Sequence, residues 1–269
     1  MYPYELFFGI TLYDVCLALG AAAALVVFRI LADRMSVSQR ATTLALGGGV
    51  AGFALGLFTA TLLQAFYNLM AGEDFAIVEN TGATFYGGLV GGILAFLAVY
   101  LGGGARLLPK GEAKKTLPLV SSLAAAVIAL AHGIGRVGCF FAGCCHGAPT
   151  DSFLGVYMPM AGTRVLPTQL MEAVFLFALA AFLIYRTVKV GRTDGFFFYM
   201  MVYGFFRFFI EYLRGDYRGA SLVSFLTPSQ LIALLMVAVS LVYYLFLEGR
   251  GEKQKKPEEP EEPKEEAEA

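Results

Sequence analysis

Long apolar runs separated by short polar connections dominate the pattern of this chain. About 20 helical residues are needed to cross roughly 30 Å of hydrocarbon, and seven runs are close to that length or longer. They lie near residues 12–32, 43–68, 84–102, 117–141, 168–186, 195–213 and 228–248. The pattern therefore predicts an all-α, polytopic integral membrane protein with about seven transmembrane helices.

Composition supports the same class of protein. Hydrophobic residues make up 58% of the 269 residues, and charged residues make up only 15%. Both values are far from the averages of soluble globular domains. We expect the partner of this surface to be a lipid bilayer, and we expect no nucleic-acid partner.

The basic residues alternate along the chain. Most of the 20 lysines and arginines lie at the first, third and fifth connections or after the last helix. The connection at residues 71–83 instead carries Glu73, Asp74 and Glu79. Because positive charge accumulates in short cytoplasmic loops, the pattern predicts that the N-terminus faces outside and that the C-terminus faces the cytoplasm.

The two ends of the chain differ in character. Residues 1–10 contain Glu5 but no basic segment, and no small-residue cleavage site follows, so the first helix is expected to remain in the protein. Residues 250–269 are rich in lysine, glutamate and proline and are expected to form a disordered cytoplasmic tail. We therefore predict one transmembrane catalytic domain over residues 1–249.

The densest group of reactive residues lies at the end of the fourth apolar run. Residues 132–147 read HGIGRVGCFFAGCCHG and contain both histidines of the chain and three of its four cysteines. A guanidinium close to hydrocarbon costs roughly 3 kcal/mol or more unless a partner or a water-filled cavity receives it, so Arg136 marks a candidate functional site. With 3.6 residues per turn, one stripe of the helix holds His132, Arg136, Cys139 and Gly143.

The sixth helix carries a second polar face. Residues at spacings of four, four and three share one side of a helix, and here they are Tyr203, Arg207, Glu211 and Arg214. Glu172 lies one turn into the fifth helix, and Tyr86 in the third helix lies near the same depth. The predicted topology places all of these groups in the outer half of the bilayer.

Three arginines face two glutamates in this set, which leaves one positive charge without an acidic partner. A guanidinium binds phosphate through paired hydrogen bonds, and a partly dry site strengthens them. The expected ligand is an anionic phospholipid headgroup that enters from the outer leaflet. Structural alternatives remain, because Glu211 and Arg214 could form only an intrahelical ion pair. A glycine packing seam could likewise explain Gly87, Gly88, Gly91 and Gly92.

Four segments resemble, in the same order, the motifs of the prolipoprotein diacylglyceryl transferase family. They are TFYGGLVGG at residues 84–92, GIGRVGCFFAGCCHG at 133–147, LPTQLMEA at 166–173 and GFFFYMMVYGFFRFFIEYLRGDYRG at 195–219. The most specific matches are a G-R-x-G core with a trailing G-x-x-x-G, a P-[ST]-Q-L-x-E element and a Y-x-x-x-R-x-x-x-E-x-x-R string. These matches comprise Arg136, Gly138, Gly143, Gly147, Gln169, Glu172, Tyr203, Arg207, Glu211 and Arg214.

The resemblance implies a phospholipid-dependent transferase of lipoprotein biogenesis in the bacterial cytoplasmic (inner) membrane. Its reaction moves the diacylglyceryl group of phosphatidylglycerol to the lipobox cysteine thiol of a prolipoprotein signal peptide and releases glycerol phosphate, without a metal or other cofactor. Arg136 and Arg207 would hold the departing phosphate, and Tyr203 would donate a hydrogen bond to the headgroup. The other implied substrate-binding residues are Glu172, Glu211, Arg214, Gln169, Gly138, Gly143, Gly147 and Cys139.

The chain departs from the family pattern inside the implied site. Tyr86 stands where the family carries a histidine before Gly-Gly, Cys139 where it carries an asparagine, and Cys144 where it carries a glutamate. His132 could replace the missing base, because an imidazole that is neutral near pH 7 can take a proton from a thiol; it could equally be a packing residue. The candidate catalytic residues are therefore Arg136, Arg207, His132 and Tyr86.

The cysteines allow a second interpretation. On the oxidising side of the membrane, a C-x4-C-C-H cluster can bind a soft metal or cycle between thiol and disulfide, and it comprises Cys139, Cys144, Cys145 and His146. The spacing fits no standard zinc module, so we predict no metal. A disulfide from Cys139 to Cys144 or Cys145 remains a structural alternative. The alternative function is a membrane thiol-redox or metal-handling protein, but the arginines favour the transferase.

Overall fold

A computed structural model describes residues 5–70, 85–215 and 225–248 of the protein. Within these ranges seven helices are long and apolar enough to cross a membrane, which confirms the predicted number of spans. The helices are α1 (Leu12–Arg34), α2 (Gln39–Met70), α3 (Phe85–Leu97), the short α4 (Gly103–Leu107), α5 (Glu112–Ala142), α6 (Thr168–Val188), α7 (Gly195–Ile210) and α8 (Pro228–Val242).

Several spans combine more than one type of helix. A π-helical turn at Ala98–Gly102 joins α3 to α4, so the third span continues to Leu107. Likewise α7 ends in a 3₁₀ turn at Glu211–Leu213, and α8 ends in a π-helical turn at Tyr243–Glu248. The fourth span begins at Glu112 rather than near 117, because its first turn is polar and a hydropathy pattern does not detect helix outside the hydrocarbon.

Two short hairpins add to the helices, and the all-α prediction did not include them. Strand β1 (Glu5–Phe7) pairs with β2 (Ile10–Thr11), and β3 (Val156–Met158) pairs antiparallel with β4 (Thr163–Val165). The second hairpin lies in the connection between α5 and α6. Strands of two or three residues are too short to show the period-two alternation that identifies a strand in sequence.

Helices α5, α6 and α7 form the part of the bundle that positions the site. Helix α5 packs against α1 and α6, while α7 packs against α8. A buried apolar cluster between α5, α6 and α7 includes Ala126, Leu176, Leu183 and Tyr199. A second cluster unites α1, α2, α5 and the π-helical turn after α3 near the basic connections.

Helix α2 packs closely on α3 along a seam of small residues. A Cβ atom added to Gly52 would lie 2.9 Å from the carbonyl oxygen of Gly92, and one added to Gly87 would lie 2.4 Å from that of Thr59. The hydroxyl of Thr59 donates a hydrogen bond of 2.7 Å to the carbonyl oxygen of Gly87. These contacts explain the glycines of the third helix by packing, as the structural alternative predicted.

A polar network ties α6, α7 and α8 together at the end of the bundle opposite the site. Asp194 accepts hydrogen bonds from Arg186, Arg192 and Tyr244. Burial alone would raise the pKa of the Asp194 carboxyl, but the hydrogen bonds from Tyr244 and Arg186 and the two arginine charges outweigh burial and lower the pKa. The carboxylate is therefore a charged anchor for three helices.

Candidate functional site

The buried carboxylate of Glu172 is the centre of the site. Its side chain is 0% exposed, and it lies one turn into α6. Tyr203 on α7 donates a hydrogen bond of 2.7 Å to its Oε1 atom. Two residues of α5 also approach the Glu172 carboxylate. The Nε atom of Arg136 lies 3.0 Å from Oε2 of Glu172, and the Nε2 atom of His132 lies 3.8 Å from Oε1 of Glu172. Three helices therefore bring the predicted residues to one point.

The pairing of Arg136 with Glu172 is electrostatic rather than a well-aligned hydrogen bond. Although the Nε and Oε2 atoms are 3.0 Å apart, neither makes a hydrogen bond within the part of the chain that the structure describes. A buried carboxylate needs a compensating charge, and this guanidinium supplies it. Its N–H groups are not committed to Glu172, so they can turn toward an anionic ligand.

A second ion-pair group lies one turn further along α7. The Nη2 atom of Arg207 lies 2.7 Å from Oε2 of Glu211 and donates a hydrogen bond of 3.0 Å to the hydroxyl of Ser229. The other carboxylate oxygen of Glu211 accepts a hydrogen bond of 3.0 Å from Thr227. The Nε atom of Arg214 lies 4.0 Å from Glu211. The predicted intrahelical pairs are therefore present, and α8 adds two hydroxyls to them.

Among these residues the structure brings together three arginines and two glutamates. Arg136 pairs with Glu172, whereas Arg207 and Arg214 share Glu211. The Nη1 atom of Arg207 is buried and has no hydrogen-bond partner in the described residues. Because a buried N–H donor without an acceptor is unfavourable, this position is suited to an oxygen atom of an anion.

The site is most accessible beside His132. Its side chain is 29% exposed and that of Arg136 is 15% exposed, whereas that of Arg207 is 9% exposed. The imidazole also contacts the ring of Tyr203 edge-on, with 5.2 Å between ring centres. An entering ligand would therefore meet His132 and Arg136 first and Arg207 deeper in the site.

The cysteine segment folds back over the end of α5. Gly143 has a left-handed backbone with φ of 72°, and its N–H donates to the carbonyl oxygen of Phe140 while the N–H of Cys144 donates to that of Cys139. This pair of bonds is a Schellman motif, which glycine favours because it has no Cβ atom. The motif turns the chain back so that Cys144 lies next to Cys139. The role of Gly143 in this structure is therefore to shape the loop.

The start of α6 holds this loop in place. The side-chain amide of Gln169 donates a hydrogen bond of 2.5 Å to the carbonyl oxygen of Cys144, and the hydroxyl of Thr168 donates one of 3.1 Å to that of Cys145. Both side chains are completely buried. Gln169 is predicted to bind substrate, and in this structure its amide holds the cysteine loop next to the site.

Three thiols meet in this loop. The Sγ atoms of Cys139, Cys144 and Cys145 all lie within 4.8 Å of one another, and all three cysteines are free thiols in this structure. The thiols of Cys139 and Cys144 and the guanidinium of Arg214 lower the pKa of the Cys145 thiol. His146 lies beside them with its Nδ1 atom 3.0 Å from the carbonyl oxygen of Gly147.

Two further predicted glycines mark close contacts between elements. A Cβ atom on Gly138 would lie 2.9 Å from the Cβ atom of Cys16, where α1 packs on α5. Gly147 forms a β-bridge with Arg214, and a Cβ atom added to Gly147 would clash with neighbouring atoms. The side chain of Tyr86, the remaining predicted residue, lies outside the described residues, although its backbone belongs to α3.

We expect Gly147→Ala to destabilise the site by about 2 kcal/mol, the typical cost of overpacking. The added methyl group would lie 2.7 Å from the carbonyl oxygen of Leu213 and 2.8 Å from side-chain atoms of Leu166 and Thr168. Thermal unfolding of the purified protein measures the loss. Gly135→Ala is the matched control, because a Cβ atom there meets nothing within 4 Å. Equal melting temperatures for the two variants would contradict the prediction.

The sequence did not identify the contribution of α8. Thr227 caps this helix, with Gln230 completing the capping box, and the same Thr227 hydroxyl reaches Glu211. The Thr-Pro-Ser-Gln segment is a recognisable helix start. Its position beside Arg207 is a tertiary contact that helical periodicity cannot reveal.

This fold and this site define a multi-pass membrane protein with arginines and carboxylates buried between its helices. A family model described as prolipoprotein diacylglyceryl transferase matches residues 4–246. The chain belongs to the prolipoprotein diacylglyceryl transferase family. Membership confirms the family and the enzyme class, a transferase, that the motifs predicted, and it does not favour the thiol-redox or metal-handling alternative.

Relatives from several bacteria agree with this assignment. The phosphatidylglycerol–prolipoprotein diacylglyceryl transferase 2 of Clostridium perfringens is 30% identical over 222 residues, which cover 74% of this chain and 81% of the relative. The phosphatidylglycerol–prolipoprotein diacylglyceryl transferase of Clostridium tetani is 33% identical over 202 residues, which cover 73% of this chain and 76% of the relative. A Staphylococcus aureus protein of the same name is 31% identical over 179 residues, which cover 61% of this chain and 58% of the relative.

Proposed function

We propose that this chain transfers the diacylglyceryl group of phosphatidylglycerol to the lipobox cysteine thiol of a prolipoprotein signal peptide. The observation that carries the proposal is the pair of buried guanidiniums, Arg136 and Arg207, which face Glu172 and Glu211 and keep donor atoms without a hydrogen-bond partner among the described residues. A phosphate that gains negative charge as it departs needs fixed positive charge at that point. Family membership and the names of the relatives support the same reaction.

Arg136 and Arg207 are the proposed phosphate-binding pair. Both guanidiniums carry hydrogen-bond donors that are not fully engaged, and Glu172 and Glu211 hold them in place. In a partly dry site a guanidinium stabilises phosphate oxygens more strongly than in water. Tyr203 and Arg214 complete the headgroup side of the site, while the proposed contributions of Gln169, Gly138, Gly143, Gly147 and Cys139 are to shape or line it. A catalytic role of Tyr86 stays a prediction, because its side chain lies outside the described residues.

Thiol attack requires removal of a proton, and we assign this role to His132. Its ring is the most exposed of the polar groups around Glu172, and that carboxylate lies 3.8 Å from its Nε2 atom. A thiolate is the reactive form of the acceptor. The imidazole would take the thiol proton directly or through one water molecule.

The proposed setting is the bacterial cytoplasmic membrane, with the N-terminus outside and the C-terminus in the cytoplasm. Seven successive spans put the basic connections at one end of the bundle and the end of α5 at the other. The site would then open to the outer half of the bilayer, with a catalytic domain that ends by residue 249. The tail at residues 250–269 lies outside the described residues. Thiol labelling of single cysteines at Ser36 and Ser152 from either side of the membrane tests this orientation.

Label transfer in vitro tests the reaction itself. Purified protein is incubated with vesicles that contain phosphatidylglycerol labelled in its acyl chains and with a synthetic lipobox peptide. We expect label in the peptide and release of glycerol phosphate, and no label in a peptide whose cysteine is replaced by serine. Absence of transfer under conditions in which the Clostridium tetani relative is active would overturn the proposed function.

His132→Gln is expected to lower kcat by about 100-fold, the smaller end of the range for a general base. Glutamine retains a polar side chain of similar size but cannot take up the proton. The pH–rate profile should lose the limb that reflects this base, whereas the melting temperature should change little. A variant with normal kcat and reduced thermal stability would instead identify His132 as a packing residue.

A further inference from the structure

We propose that Cys139, Cys144 and Cys145 bind a zinc ion whose fourth coordination position takes the acceptor thiol of the transfer reaction. This inference rests on the proposed function, extends it to the activation of the nucleophile, and departs from the prediction of no metal that the cysteine spacing gave. Catalytic zinc sites use three protein ligands and keep one position open. Among the described residues, these three cysteines are the group gathered closely enough to act as such ligands.

The geometry of the loop suits a trithiolate site. Zinc–sulfur bonds of about 2.3 Å in a tetrahedron place the sulfurs about 3.8 Å apart, and the three Sγ atoms already lie within 4.8 Å of one another. Small rotamer changes would therefore complete the site. The backbone is fixed independently by the Schellman motif at Gly143 and by the amide of Gln169.

The ligand set leaves one position open. The ring of His146 does not belong to the group of ligand atoms that lie together, and its Nδ1 atom lies next to the carbonyl oxygen of Gly147. Cys144 is exposed, whereas Cys139 and Cys145 are half-buried. An approaching peptide thiol can therefore reach the metal from the side of Cys144.

The charges around the loop match the site. Zinc with three thiolates carries a net charge of −1, and coordination of a fourth thiolate makes it −2. Arg136 lies one turn before Cys139 on the same face of α5, and Arg214 lies beside Cys145. These two arginines offset the negative charge and also place the metal site next to the proposed phosphate-binding group.

Zinc would make the acceptor thiol a nucleophile without any change of oxidation state. Coordination deprotonates a thiol, and the proton passes to water, which relays it to His132, about two helical turns before Cys139 on α5. A sulfur lone pair then attacks the glycerol CH₂ carbon of phosphatidylglycerol, forming the C–S bond as the C–O bond to the phosphate breaks. The bonding pair stays on the phosphate oxygen, and glycerol phosphate departs.

Metal content and sulfur coordination test the site. The full-length chain is purified in reducing buffer, treated with a chelator and titrated with Zn²⁺ alone. We expect about one zinc per chain with three sulfur ligands, as measured by elemental analysis and X-ray absorption. Addition of the lipobox peptide should raise the sulfur number to four, and the serine-substituted peptide should not.

Variants connect the metal to the reaction. Cys139→Ser, Cys144→Ser and Cys145→Ser should each lose at least tenfold in zinc affinity and in the rate of label transfer. Cys16→Ala is the matched control, because Cys16 is the fourth cysteine and lies buried in α1. It should retain both the metal and the rate of label transfer.

Each outcome decides the proposal. A reduced wild-type protein that binds no zinc, or one that holds a disulfide between two of the three cysteines and is active in that form, overturns it. Zinc with a sulfur number that stays at three in the presence of peptide reduces the site to a structural one and also overturns it. Zinc binding that gains a fourth sulfur while no label is transferred would contradict the proposed function but retain the metal site.

Discussion

Arg136→Ala should lower kcat and kcat/KM for diacylglyceryl transfer by about 100-fold to 1,000-fold. Loss of one preorganised donor to a developing oxyanion has an effect of this size, about 3–4 kcal/mol. The side chain of Arg136 is 15% exposed, and its buried Nε atom lies 3.0 Å from Glu172, which leaves the terminal N–H groups of the guanidinium for the departing phosphate. Label transfer from phosphatidylglycerol measures the loss.

Two further variants separate the phosphate role of Arg136 from a structural one. Arg136→Lys keeps the charge beside Glu172 but loses the planar pair of donors, so it should retain the fold and still lose most of the activity. Arg29→Ala is the matched control, because Arg29 forms an exposed pair with Asp33 on α1 and exposed pairs contribute little. Activity of Arg136→Ala within threefold of wild type would refute the phosphate role.

The helices were predictable because the bilayer imposes length and hydrophobicity directly on the sequence. The apolar pattern predicts the sixth span at residues 195–213, and the structure has it at Gly195–Leu213. The shared face of Tyr203, Arg207 and Glu211 was likewise predictable, since helical spacing fixes which side chains lie together. The polar first turn of α5 was not, because nothing in a hydropathy pattern distinguishes a polar helical turn from a loop.

The partners of the charged residues could be predicted only in part. Spacing along α7 pairs Arg207 with Glu211, and the structure contains this pair at 2.7 Å. Sequence spacing does not indicate that Arg136 on α5 pairs with Glu172 on α6. Nor does it indicate that Ser229 on α8 accepts a hydrogen bond from Arg207. Such contacts depend on how the helices pack against one another, and the residue spacing within one helix does not specify that packing.

Only part of the conformation of the cysteine loop can be predicted from local sequence. A glycine after a helix predicts a left-handed cap, and Gly143 has that conformation. Cys145, two residues later, also has a positive φ, of 61°, which is uncommon for a residue with a side chain. The hydrogen bonds from Thr168 and Gln169 hold it there, and these partners are more than 20 residues away in the chain. The meeting of three thiols is therefore a tertiary property.

Glu172→Gln should lower transfer activity by at least 100-fold and also destabilise the bundle by about 3 kcal/mol. The change leaves the Arg136 guanidinium buried without its counter-charge, and breaking a buried pair on one side typically costs 3–5 kcal/mol. The glutamine can still accept the hydrogen bond from Tyr203, so the loss reports the charge rather than the shape. Thermal unfolding and label transfer measure the two effects.

A double variant distinguishes positioning from catalysis at this pair. In Glu172→Gln with Arg136→Met, neither buried charge remains, so the free energy of unfolding should recover by about 2 kcal/mol relative to the single Glu172 variant. Transfer activity should not recover, because the phosphate-binding guanidinium is then absent. Recovery of activity together with stability would mean that Arg136 acts only as the counter-ion of Glu172, and the phosphate would have to be held by Arg207 alone.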